Sequence, residues 1–167
     1  MATDGSDILA RLADRFGAAI QGTEDRFGDH TAVVERVAVA DVLAFCRDDP
    51  GLRCDLLMDL TAVDYLTYPG REDGPRFEVV YHLYSVPHNH RIRLKVGLDE
   101  DDAVLASAVP LWPIANWFER EVWDMFGIRF EGHPNLRRLL LYEEFRGHPL
   151  RKDYPVNRRQ PLIGPRD

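Results

Sequence analysis

Ile8, Leu9, Leu12, Phe16 and Ile20 recur at three- to four-residue spacing, which predicts an amphipathic helix with Ser6 or Asp7 as its cap. Polar Gly22 to Asp29 reads as a turn, and β-branched Thr31 to Val37 as a short strand. Val39 to Arg47 reads as a second helix, stopped by Pro50-Gly51. Cys54 to Tyr65 is an apolar run suited to a strand, interrupted by Asp55, Asp59 and Asp64, and Thr67 to Pro75 is a loop. The clearest pattern follows. Phe77, Val79, Tyr81 and Leu83 point one way, and Ile92, Leu94, Val96 and Leu98 alternate with Arg91, Arg93 and Lys95. Two such period-2 segments, joined by Ser85 to His90, predict a β-hairpin with one face on a core and one face wet. Asp101 to Ala108 suggests a short helix, and Pro113 opens a stronger one over Ile114 to Met125 with Gly127 as its stop. Beyond Ile128 neither period persists, and prolines recur at 134, 149, 155, 161 and 165. This order predicts an α+β fold of two layers, helices on a mixed or mostly antiparallel sheet. It divides the chain into a compact domain over 1–127 and an extended basic tail over 128–167.

Charge sharpens that division. The 167 residues carry a net charge of -7, which argues against a nucleic-acid partner. From Ile128 to Asp167, nine Arg and Lys face five Asp and Glu, a balance of +4, which leaves -11 for the rest. A basic tail on an acidic body suggests two surfaces with different tasks. No apolar run is long enough to cross a bilayer, and the N-terminus lacks the basic and apolar stretches of a secretory signal. Cytoplasmic residence is expected, with any membrane association made through a partner.

Familiar catalytic patterns are missing. There is no G-x-G-x-x-G after a strand, no phosphate loop and no G-x-S-x-G. Cys46 and Cys54 are too few for an iron–sulfur or zinc site; they fit two reduced thiols, with a disulfide as the alternative. His82, His88 and His90 read as hydrogen-bonding loop residues ahead of a metal site, because no carboxylate or thiol completes a ligand spacing. Glu119 and Glu121 lie two apart on a helix and diverge, so they cannot share a substrate.

Projected at about 100° per residue, Ile114, Trp117, Phe118, Val122 and Met125 share a face with Glu121 in its middle. Trp123 falls on the opposite side with Glu119 and Arg120. A carboxylate on an apolar face needs a cation, and Arg137 and Arg138 are its candidate partners. An outward Trp123 reads equally as an interface residue and as a ring covered by the tail. The tail repeats a turn, Gly132-His133-Pro134 and Gly147-His148-Pro149, around Leu136-Arg137-Arg138-Leu139-Leu140-Leu141 and ahead of Arg151-Lys152-Asp153-Tyr154-Pro155. Apolar and Arg content without periodicity suggests a segment ordered by a partner.

These strings, with Glu119-Arg120-Glu121-Val122-Trp123-Asp124-Met125-Phe126-Gly127-Ile128, resemble the signature of the 30-kilodalton subunit of respiratory complex I, the NADH-quinone oxidoreductase of bacteria. Leu60-Thr61-Ala62-Val63-Asp64-Tyr65 and Trp112-Pro113-Ile114-Ala115-Asn116-Trp117-Phe118 are similar to family segments as well. The chain departs from the family where Leu141-Tyr142-Glu143 lacks a proline and where Phe145 replaces a tryptophan. The resemblance implies a peripheral-arm subunit on the cytoplasmic face of the inner membrane. It implies no cofactor in this chain, with FMN, iron–sulfur clusters, NADH and quinone held by other subunits, and no catalytic residue. Implied partners are complex I subunits D and B, of which the first helps form the quinone site, and neighbouring peripheral-arm subunits. Glu119, Arg120, Glu121, Trp123, Asp124, His133, Arg137, Arg138, His148, Arg151, Lys152, Asp153 and Tyr154 are then the expected interface or structural residues. The alternative is the matching component of a membrane-bound nickel–iron hydrogenase or a ferredoxin- or F420-linked complex.

Overall fold

A computed structural model describes residues 5–161 of the chain, with side chains from Asp7 onward. Helix α1 (Gly5–Phe16) packs Ile8, Leu9 and Leu12 into the core. It ends before Gly17, whose φ of 53° an α-helix does not continue. Of the two cap candidates, the Ser6 side chain lies outside the described residues, and Asp7 sits in the first turn paired with Arg11.

The predicted turn from Gly22 to Asp29 is instead mostly strand: β1 (Ile20–Arg26) turns at Phe27-Gly28 into β2 (Asp29–Val34). β1 escapes the alternation test because it is an edge strand, its residues from Gly22 onward largely in water. Helix α2 (Val39–Asp48) and strands β3 (Leu56–Asp64), β4 (Phe77–Ser85) and β5 (His90–Leu98) fall where the pattern places them. The sheet order is β1-β2-β5-β4-β3, antiparallel except where β2 runs parallel to β5. Phe77, Val79, Tyr81 and Leu83 of β4 and Ile92, Leu94, Val96 and Leu98 of β5 join one core cluster with buried residues of all three helices.

The predicted helix from Asp101 to Ala108 is a 3-10 turn (Glu100–Asp102) followed by β6 (Val104–Ala106). β6 pairs in parallel with β7 (Arg129–Glu131), beyond helix α3 (Ala115–Phe126). Three residues per strand are too few to show a period. Ile128 and Phe130 are buried members of the core, so the compact unit extends past Gly127. The chain after Glu131 carries no helix or strand among the described residues. It is nevertheless fastened to the body by side-chain bonds.

Candidate functional site

Helix α3 is covered on two sides. Ala115, Glu119, Val122 and Phe126 follow helical spacing and face the sheet. Asp124, half a turn around from them, is fully buried beneath the C-terminal chain. One of its carboxylate oxygens accepts from Arg138 Nη1 at 2.6 Å. The other accepts from three consecutive backbone N–H groups, those of Leu139, Leu140 and Leu141, at 3.0, 2.9 and 3.0 Å. Burial alone would raise the Asp124 pKa. The Leu141 N–H, Arg138 and the two neighbouring N–H groups outweigh burial and hold it below the usual carboxylate range. Arg138 also donates to the carbonyls of Phe145 and Gly147, and its guanidinium stands over the Trp123 and Phe145 rings. From the helix side, Arg120 donates to the carbonyls of Arg137 and Arg138 at 3.1 and 2.9 Å.

The same chain closes the end of α3. A helix leaves its last carbonyls without internal partners. Here the Asp124 carbonyl accepts from His148 Nδ1, Met125 from the Leu150 N–H and Phe126 from Arg151 Nε. Gly127 makes this approach possible. Its φ is 79°, and a Cβ there would stand 2.7 Å from the His148 ring. Gly147 matches it in conformation, with Tyr154 packed 2.9 Å from where its Cβ would lie.

A second clamp holds the far end. Asp64, at the end of β3, accepts from Arg76 and from the Lys152 N–H at 2.8 Å. Arg76 also bridges to Asp153 at 2.8 Å and to Glu100 at 2.6 Å, while Arg76 and Arg151 flank Phe77. Burial opposes ionisation of Asp64, but the bonds from Arg76, Lys152 and Leu66 prevail and lower its pKa.

Residues 132–161 therefore form a strap fastened to its own body. Six of the thirteen residues picked out in the sequence hold the strap: Arg120, Asp124, Arg138, His148, Arg151 and Asp153. His133 receives the Asn135 N–H at Nδ1 and donates from Nε2 to the Asn116 carbonyl. Tyr154 stacks on Phe145. One expectation is reversed, and of the two readings of Trp123 the ring covered by the tail is the one found. Glu121 is exposed and Arg138 pairs with Asp124, because the sheet-facing side is centred on Ala115, Val122 and Phe126, with Trp117 outside it. Trp123 is half-buried beside His148, and the outward indole is Trp117, 55% exposed under the Arg120 guanidinium. Trp117, Glu121, Arg137 and Lys152 face outward, as do Leu140 (62% exposed) and Leu150 (50%), which the pattern does not single out.

Glu119 is a further buried carboxyl. It accepts from Ser107 Oγ at 2.7 Å and from the Ala108 N–H at 2.5 Å. Burial still dominates and pushes its pKa up to about 7. The nearby Tyr81 hydroxyl is buried without a hydrogen-bond partner, and its pKa is raised by burial and by the Glu119 charge. Cys46 and Cys54 are free and buried; burial raises both thiols, Cys54 to about 12. Of the hairpin histidines, His88 and His90 bond the carbonyls of Pro50 and Leu52. Among the described residues no group of three or more His, Cys, Asp or Glu is placed to hold a metal, and no helix is long and apolar enough to cross a membrane.

Two solved chains share this α+β fold. A trypsin-resistant fragment of Nqo5 superposes with a TM-score of 0.66 and 36% identity, covering 77% of this chain and 98% of that one. A chain of the membrane-bound sulfane sulfur reductase, an archaeal respiratory membrane complex, superposes with a TM-score of 0.73 and 25% identity, covering 93% and 88%. The chain belongs to the family of the respiratory-chain NADH dehydrogenase 30 Kd subunit, whose model matches residues 32–160. One NADH-quinone oxidoreductase subunit of Caulobacter vibrioides is 50% identical over 152 residues, 91% of this chain and 72% of that one. Its counterpart in the NADH-quinone oxidoreductase of Roseiflexus sp. strain RS-1 is 50% identical over 156 residues, 93% and 87%.

Proposed function

We propose that this chain is a non-redox subunit of the peripheral arm of a proton-pumping NADH:quinone oxidoreductase, lying on the cytoplasmic face of the inner membrane. In this reading it carries no FMN, iron–sulfur cluster, NADH or quinone; neighbouring subunits hold them. Its task is assembly, and its partners are subunits D and B. The strap docks on the first, supporting the quinone site, and the second lies alongside. The observation that carries this reading is the strap itself. Buried ionic and backbone bonds fix an irregular segment whose outer side presents Leu140, Leu150, Arg137 and Lys152 to solvent. A pre-ordered segment loses little entropy on docking, and exposed leucines among basic residues are suited to an interface. The elevated thiol pKa values agree with a chain that does no thiolate chemistry. The likeness to the archaeal sulfane sulfur reductase chain supports a second reading, the equivalent component of a related hydrogenase or ferredoxin- or F420-linked complex.

Leu140→Asp combined with Leu150→Asp tests the docking role. Both sites are exposed, so the isolated variant is expected to melt like wild type. Its recovery with partner subunits from membranes should fall at least tenfold. Recovery equal to wild type would remove the strap from the interface.

A further inference from the structure

The face of the sheet turned away from the core carries a second surface, distinct from the strap. Strand register sets its side chains in rows. One row runs Thr31, Arg93, His82 and Asp59 across β2, β5, β4 and β3. The next runs Val33, Lys95, Val80 and Thr61. Val80 is buried yet stands apart from the core cluster, whose members lie on the other face with the buried side of the helices. A groove of about 350 Å³ crosses all four strands between Asp29, Arg91 and Arg93 at one end and Met58 and Asp59 at the other. A register shift between Leu57 and Asp59 turns Met58 outward, 54% exposed, and Leu56 and Val63 are exposed nearby.

The charges on this face are unevenly matched. Asp29 serves both Arg91 at 2.7 Å and Arg93 at 3.4 Å. Glu78 serves both Arg71 at 3.2 Å and Lys95 at 3.1 Å. With Asp59, four cations face three carboxylates, a balance of +1 on a chain of net charge -7. Each shared carboxylate leaves one cation incompletely neutralised. Four strands of this length span about 30 Å by 20 Å, or about 600 Å², close to the roughly 800 Å² that each partner contributes to a standard interface. All four cations are paired with carboxylates of the same face, so it lacks the unneutralised cluster of about four to eight basic residues that holds a protein on anionic lipid.

We propose that this open sheet face is a docking surface for a carboxylate-bearing, partly apolar segment of a partner subunit. Asp or Glu side chains of that segment complete the Arg91–Arg93 and Arg71–Lys95 clusters, and an apolar side chain covers Met58. The inference rests on the chain working inside an assembly. The strap lies over α3, and α3 packs on the opposite side of the sheet, so the two surfaces would let one small chain join two partners.

Carbodiimide cross-linking of the intact assembly, purified from native membranes through a tag on this chain, tests it. This reagent joins Lys only to a carboxylate in direct contact. Mass spectrometry is expected to find Lys95 linked to an Asp or Glu of a partner polypeptide. Arg91→Glu with Met58→Asp, both at exposed positions, should reduce that link at least tenfold while the isolated chain melts within about 2 °C of wild type. If the assembly is recovered but Lys95 links only to its own Glu78, or to a second copy of this chain, the proposal is wrong. Recovery of the chain without partners would instead overturn its reading as a subunit.

Discussion

Asp124→Ala is expected to lower the unfolding free energy by about 3–5 kcal/mol, the cost of leaving one side of a buried ion pair without its partner. Alanine would strand the Arg138 guanidinium and remove the acceptor for three successive N–H groups. For a chain this size, that corresponds to a melting temperature lower by about 6–20 °C. Glu121→Ala, at an exposed site, should change stability by no more than about 0.5 kcal/mol. Thermal denaturation of the two variants separates the structure from the helical-wheel reading. Equal losses, or a loss confined to the Glu121 variant, would mean that the carboxyl under the strap is misidentified. Acid should act on the same bond. Asp124 has a lowered pKa in the folded chain, so its contribution is present above the unfolded value near 4 and is lost as pH falls through the folded one.

Glu119→Gln should do the opposite at alkaline pH and stabilise the chain. Folding raises the Glu119 pKa from an ordinary 4.5 to about 7, which favours the neutral acid. The stability linked to that acid is complete below about pH 4.5 and is lost as pH rises through 7. Above pH 8 the wild type holds a buried carboxylate at a cost of about 3 kcal/mol, from about 1.4 kcal/mol per pKa unit. Glutamine keeps an acceptor for the Ala108 N–H and offers its amide to the Ser107 hydroxyl without charge. The variant and wild type should be close at pH 5 and differ by about 2–3 kcal/mol at pH 8 in urea titrations. A difference that does not change between the two pH values would show that Glu119 is ionised throughout.

The parts of the fold legible in the sequence are those with enough length to show a period. β4 and β5 each run nine residues with one face in the core, so alternation fixes their register. α3 is bounded by Pro113 and by Gly127, the expected stop, which takes a left-handed conformation. β1 is hidden because an edge strand wet on both faces has no alternation to display. β6 and β7 are three-residue strands whose pairing depends on contacts made across α3. The candidate site is legible as a set of residues and not as a set of contacts. Arg138 is visibly a cation in search of a carboxylate, but the choice of Asp124 over Glu121 depends on how α3 is rotated. Large Trp117 draws the projected core face toward itself, whereas small Ala115 marks the true one. Exposed Leu140 and Leu150 sit in irregular backbone, where neither helical nor strand spacing says which side faces water.

Purification of the tagged chain from membranes of its native host tests most directly whether it is a structural subunit. The expected result is a stoichiometric assembly that includes the quinone-site-forming subunit, with NADH:quinone oxidoreductase activity in the assembly and none in the isolated chain. A monomer recovered without partners, or one that turns over substrate alone, would contradict it.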